Sequence, residues 1–312
     1  MYHSYKPEGS LCGTSENREY LGSEAGLYKA MAQGKILEAT VILCDADMNL
    51  VVDLCGIRGV IPREEVLFSP DERAQKDIAV ITRVGKAVTF KILNIINENG
   101  ETVAILSRRQ AQIACMQNYI SLLSPGDIIP CKVTHMEHFG AFVDIGCGII
   151  SMIPIDAISV SRISHPKDRF YIGMLLRAVV KSIDPENMRV FLTHKELLGT
   201  WTENASLYRI GETVKGVVRS IEDYGIFVEL TPNLAGLAEF REGITVGDCV
   251  AVYIKNIVSE RMKVKLALVD LADFQEDGHK LHYFIGEDTV HIDRWRYSPE
   301  NAGKLVETVF TE

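Results

Sequence analysis

Two stretches of this chain are near copies, separated by a constant 85 positions with no gap. Gly126-Asp127-Ile128 through His138-Phe139-Gly140-Ala141-Phe142-Val143-Asp144-Ile145 lines up with Gly211-Glu212-Thr213 through Asp223-Tyr224-Gly225-Ile226-Phe227-Val228-Glu229-Leu230. A repeat of this kind fixes the architecture, because each copy must fold as the same supersecondary unit. The copied segment alternates apolar and polar residues, which is the period of a half-buried strand. It also carries two rings across one glycine, Phe139 and Phe142, then Tyr224 and Phe227.

Reading outward, the same five-strand order recurs. In the middle copy the strands fall near 129–135, 139–145, 151–155, 174–182 and 188–193. In the last they fall near 213–220, 224–230, 236–240, 249–257 and 262–269. A weaker first copy starts at Gly34, with Val52-Asp53-Leu54 matching Val143-Asp144-Ile145 and a turn at Asn99-Gly100. Five short strands suffice for one small closed barrel. The fold class is therefore mainly β: three tandem five-stranded closed barrels over 34–110, 124–198 and 208–270.

The joining segments read differently. Residues 1–33 form a flexible start, with few large aliphatics up to 22, and a short helix with Ser23 as N-cap and Gly34 past its end. Residues 111–123 lack Gly and Pro and read as a helical linker; 199–207, with Trp201, is a short linker that packs on a neighbouring barrel. The tail 271–312 reads as a hairpin of 283–285 with 290–297, then a helix with Ser298 at N-cap and Pro299 at N1.

Charge and cysteine usage narrow the class. The net charge is −9, which argues against a generally basic nucleic-acid binder. The distribution matters more: 124–198 carries eight basic and eight acidic residues, 208–270 eight and nine, and 271–312 four and nine. Near-neutral repeats permit a local basic face. The seven cysteines are scattered and form no Cys-x-x-Cys pair, so neither a disulfide framework nor a zinc site is expected. No apolar run reaches the roughly 18 residues of a membrane span, and the start lacks a secretory pattern, so a cytoplasmic protein with no membrane partner is expected.

The order Gly-x-x-Val, Phe/Tyr-Gly-x-Phe-Val-Asp/Glu, His165-Pro166-Lys167-Asp168 and Ile183-Asp184 before Arg189 and Leu192-Thr193-His194-Lys195 resembles the S1 RNA-binding domain, an OB-type barrel. The middle copy resembles it throughout, the last through three strands, and the first in outline. The chain as a whole is similar to a short, three-repeat form of the bacterial ribosomal protein S1 family. The resemblance implies an RNA face made by the aromatic pair, a His on the third strand, and an Asp and Arg around the last turn. The middle copy supplies Phe139, Phe142, Asp184 and Arg189, with Pro154 at the His position. The last supplies Tyr224 and Phe227, with Glu239, Val258 and Lys263 at the His, Asp and Arg positions. The first has Met48 and Val51 where the rings belong and Pro62 at the His position, so RNA affinity is expected to fall from the middle copy to the last to the first.

Single strands stack on rings while basic side chains track phosphates. Lys132, Lys181 and Arg189 are the candidate phosphate contacts of the middle copy, and Lys215, Arg219, Lys255 and Lys263 those of the last. Phe139 and Phe142 are three apart, so strict alternation puts them on opposite faces unless a bulge at Gly140 intervenes. Asp184 and Arg189 read equally as an ion pair shaping their turn, and His135 and His138 as solvated strand residues. His279-x-x-His282 with His291 lacks a completing ligand, and Gly146-x-Gly148 opens no helix, so no metal and no cofactor is expected. No nucleophile elbow or phosphate loop occurs, so no catalytic residue and no small-molecule substrate is assigned. The expected function is single-stranded mRNA binding in translation at the small ribosomal subunit, with 30S proteins as further partners. A regulator of RNA decay or transcription, or a scaffold with degenerate RNA faces, are the alternatives.

Overall fold

The computed structural model describes residues 5–68, 77–98, 100–184, 189–272 and 281–310. They form three closed five-stranded barrels. The first holds β1 (Leu37–Cys44), β2 (Leu50–Leu54), β3 (Ile57–Ile61), β4 (Ala87–Glu98) and β5 (Glu101–Ser107), in the order β1-β2-β3-β5-β4. It is preceded by α1 (Ser15–Leu21) and α2 (Glu24–Gln33), and α3 (Asp77–Ile81) lies between β3 and β4. After α4 (Arg108–Asn118) comes the second barrel: β6 (Ile128–Glu137), β7 (Gly140–Asp144), β8 (Ile150–Pro154), β9 (Leu175–Asp184) and β10 (Arg189–Thr193). After α5 (Trp201–Ala205) comes the third: β11 (Thr213–Glu222), β12 (Gly225–Thr231), β13 (Leu234–Ala238), β14 (Cys249–Val258) and β15 (Lys263–Leu271). Each barrel has one parallel contact, between its third and fifth strands, as in Gly236↔Val264 and Phe191↔Met152. Asn99 of the expected turn lies outside the described residues; Gly100 beside it has φ 87°, which favours glycine.

Alternation fills the barrels. Val250, Val252 and Ile254 point inward from β14, while Tyr253 and Lys255, on either side of Ile254, point out. Burying each such aliphatic contributes about 1.5–3 kcal/mol. The chain divides into two compact units, 1–123 with 130–132 and 144–150, and 124–129 with 133–143 and 151–312.

In the first unit, the flexible start expected over 1–22 is replaced, from residue 5 on, by ordered chain. Glu38 gathers the backbone N–H groups of Gly9, Leu11 and Cys12, at 2.5, 2.6 and 2.7 Å. Glu8 forks onto fully buried Arg108, Oε1 to Nε 2.7 Å and Oε2 to Nη2 3.0 Å. Its N–H donates to Asp144 Oδ2 at 2.7 Å, and Gly146 and Gly148 N–H donate to Asp144 Oδ1. Burial and the adjacent Glu8 charge push the Asp144 carboxyl up to about 7. Composition missed this segment because its order comes from charged and backbone groups rather than from aliphatics.

In the second unit, Glu229 receives Arg169 at 2.5 Å and Arg219 Nε at 2.9 Å, and Asp168 lies 3.3 Å from Arg219. Buried Asn233 donates to Lys195 O and Gly199 O, both at 2.8 Å, and accepts from Val160 N–H. Trp201, Trp295 and Tyr297 all enter the core of the third barrel. The tail departs from expectation. The 290–292 stretch bonds to the start of β6, Ile128 N–H to Val290 O and Ile292 N–H to Gly126 O, and Arg177 holds the carbonyls of Ile285, Gly286 and Glu287. β16 (Arg294–Arg296) pairs with β17 (Glu307–Val309), not with 283–285. No helix follows Ser298, because Ser298 Oγ accepts Val306 N–H and commits the chain to return.

Candidate nucleic-acid interface

The two ring pairs have the same geometry. Phe139 and Phe142 lie edge to face with centroids 6.0 Å apart, and Tyr224 and Phe227 at 6.1 Å. Phe139 is 45% exposed and Tyr224 69%, so neither is a core residue. In the third barrel no bulge at the glycine is needed. Glu222 pairs with Gly225 and Ile226 with Ala238 in unbroken register, and the bulge of β11 lies at Val218/Ser220 instead. Tyr224 and Phe139 precede their strands, in the two-residue turns 223–224 and 138–139, and so escape strand alternation. The glycines answer to a neighbouring backbone. A Cβ on Gly140 would stand 2.6 Å from Ile153 O, and one on Gly225, whose φ is 149°, would strike Ala238 O.

The second barrel adds rings that sequence reasoning left as solvated. His135 stacks on Phe142 at 5.9 Å and 29°, and His138 meets Phe139 edge to face at 5.3 Å. Phe191, 37% exposed on β10, stands opposite Met152. Cross-strand placement was the missing signal, since His135 and Phe142 meet only once the hairpin closes. In the third barrel the corresponding row is Ser220, Phe227, Leu237 and Lys265. There Tyr224 and Phe227 line a cavity of about 490 Å³ with Leu237, Glu239, Lys255 and Lys263. The first barrel has Val51, 4% exposed, and half-buried Met48 at the ring positions.

The cations divide. Arg189 begins β10 opposite Asp184, which ends β9. Lys263 takes the same place opposite Val258 and faces solvent. Lys181 is exposed on β9, three residues before Asp184, as Lys255 precedes Val258 on β14. Lys255 donates to Glu239 at 2.9 Å. Lys215 is exposed on β11 opposite Ala251, away from the residues lining the cavity. Two candidates are committed elsewhere: Lys132 donates to the Glu8 carbonyl at 2.9 Å, and Arg219 is held by Glu229 and Asp168 with its side chain 14% exposed. His279 lies outside the described residues.

The second and third barrels each set a ring pair beside a glycine at the head of the second strand. The S1 RNA binding domain family matches residues 123–195, and the second barrel belongs to it. The chain is 28% identical over 263 residues to the small ribosomal subunit protein bS1 of Leuconostoc lactis, covering 79% of this chain and 59% of that one. It is 30% identical over 221 residues to bS1 of Staphylococcus aureus strain COL, covering 69% of this chain and 54% of that protein. It thus spans a little over half the length of these curated relatives. A crystallised multidomain protein with nucleic acid binding domains from Streptococcus pneumoniae aligns at 14% identity over 76% of this chain and 73% of its own, with a TM-score of 0.24. No described helix is long and apolar enough to cross a membrane.

Proposed function

We propose that this protein binds single-stranded RNA on the ring-bearing faces of its second and third barrels, and that it presents mRNA at the small ribosomal subunit. The observation that carries the reading is the exposed edge-to-face ring pair, repeated at one position of consecutive barrels. Aromatic faces exposed to water are the platform on which bases stack, each base contributing about 1–3 kcal/mol. The second barrel is the stronger site, because His135, His138 and Phe191 widen its aromatic surface. The similarity to bS1 proteins supports the ribosomal setting.

Anisotropy of a labelled single-stranded RNA tests the site. Phe139→Ala/Phe142→Ala should weaken binding by about 10-fold or more, and Tyr224→Ala/Phe227→Ala by less. If neither pair weakens binding, the platform is wrong. Co-sedimentation with 30S particles at low salt tests the setting; absence from that fraction favours a regulator acting away from the ribosome.

A further inference from the structure

The third barrel differs from the second at the residue facing the platform glycine. Ile226 pairs with Ala238 in antiparallel register, so continuing that register sets Glu239 across from Gly225, and Glu239 lines one cavity with Tyr224 and Phe227. Ala238 points into the barrel and Glu239 points out, with its side chain 87% exposed. Lys255 holds it at 2.9 Å through Oε1. That hydrogen bond and charge keep the carboxyl below the usual carboxylate range, so it is ionised at neutral pH. In the second barrel Pro154 fills this position and offers no side-chain hydrogen bond. A carboxylate is an acceptor only, with two oxygens side by side.

We infer that Glu239 makes the third barrel selective for guanine, reading the Watson–Crick edge of a base stacked on Tyr224 and Phe227. Guanine alone places two donors side by side on that edge, N1–H and the N2 amino group. Adenine and cytosine set their amino donor beside a ring-nitrogen acceptor, which the carboxylate repels. Uracil offers one donor flanked by two carbonyls. Single-stranded RNA is read on exposed base edges in this way, and a good bidentate pair discriminates by about tenfold or more. Lys255 screens the carboxylate from neighbouring phosphates and fixes its direction. The second barrel, with Pro154, stacks any base without this preference.

The inference rests on the RNA-binding reading, and the experiment separates the two. The full chain carrying Phe139→Ala/Phe142→Ala lacks the ring pair of the second barrel. Its affinity for the labelled octamer UUUGUUUU is compared with that for U8 and UUUAUUUU. A preference for the guanine octamer of about tenfold is expected, falling to within about twofold on adding Glu239→Gln. Glu239 is exposed, so this variant keeps the fold. Equal affinity for the three octamers, or a preference that survives Glu239→Gln, overturns the inference while leaving stacking intact. If adding Tyr224→Ala/Phe227→Ala does not change the residual binding, the platform itself is absent and the guanine reading falls with it.

Discussion

Replacing Glu229 by alanine should be among the most damaging single changes in the second unit. Arg169 is 4% exposed and depends on Glu229 at 2.5 Å; Arg219 shares the same carboxylate at 2.9 Å. Arg169 Nε is already buried without a partner. Without Glu229, two guanidiniums face each other with only Asp168 nearby, and that carboxylate reaches Arg219 at 3.3 Å. Leaving a buried charge uncompensated costs about 3–5 kcal/mol. With a urea slope of about 2 kcal/mol/M, the midpoint should fall by roughly 1.5–2.5 M. Tryptophan fluorescence is the natural assay, because the only two tryptophans, Trp201 and Trp295, sit in one core cluster of this unit. Asp168→Asn is the control and should cost less than about 1 kcal/mol, since its side chain is 28% exposed. The double change Glu229→Leu/Arg169→Met should recover most of the loss. A shift below about 0.3 M for Glu229→Ala, or one no larger than that of Asp168→Asn, would refute the reasoning.

Acid should weaken the same unit through His194. Burial drives this imidazole down to about 4, between Ile158 O at 3.0 Å and Tyr283 Oη at 3.3 Å. The unfolded chain therefore takes up the proton first, and stability present above about 6.5 is lost as pH falls towards 4, by about 3 kcal/mol. Urea midpoints between pH 4 and 7 should show that slope in the native protein and a flatter one in His194→Gln. Gly140→Ala should destabilise the second barrel by more than about 1 kcal/mol, because the new methyl group meets Ile153 O at 2.6 Å; circular dichroism melting checks this. Lys181→Ala and Arg189→Ala should each lower the slope of log affinity against log salt by about 0.7, read from RNA titrations at several salt concentrations. An unchanged slope removes that residue from the phosphate path.

The barrels were legible because strand period and the 85-residue echo survive in local sequence. β6 to β10 and β11 to β15 fall within a few residues of the alternation pattern. What escaped notice was set by contacts distant in sequence. Glu8 reaches Asp144 across 136 positions, and His291 reaches Asp127 across 164. Lys132 and Arg219 looked like surface cations because strand alternation records which way a side chain leaves the backbone. It does not record which carbonyl or carboxylate waits there. The ring pair was found from the repeat, and in the third barrel the turn residue Tyr224, not a bulge at the glycine, brings the rings together.

Asp144 and Glu229 occupy one repeat position, at the end of the second strand, and both are buried among charges. Each takes one of its partners from chain that precedes its own barrel: Glu8 for Asp144, Arg169 for Glu229. The repeats therefore resist dissection. A fragment starting at 124 strips Asp144 of the Glu8 N–H and the Arg108 field, and one starting at 208 strips Glu229 of Arg169. Excised barrels should be less stable than their tidy borders suggest, and weak RNA binding by such a fragment would report the wound of the cut as much as the quality of its site.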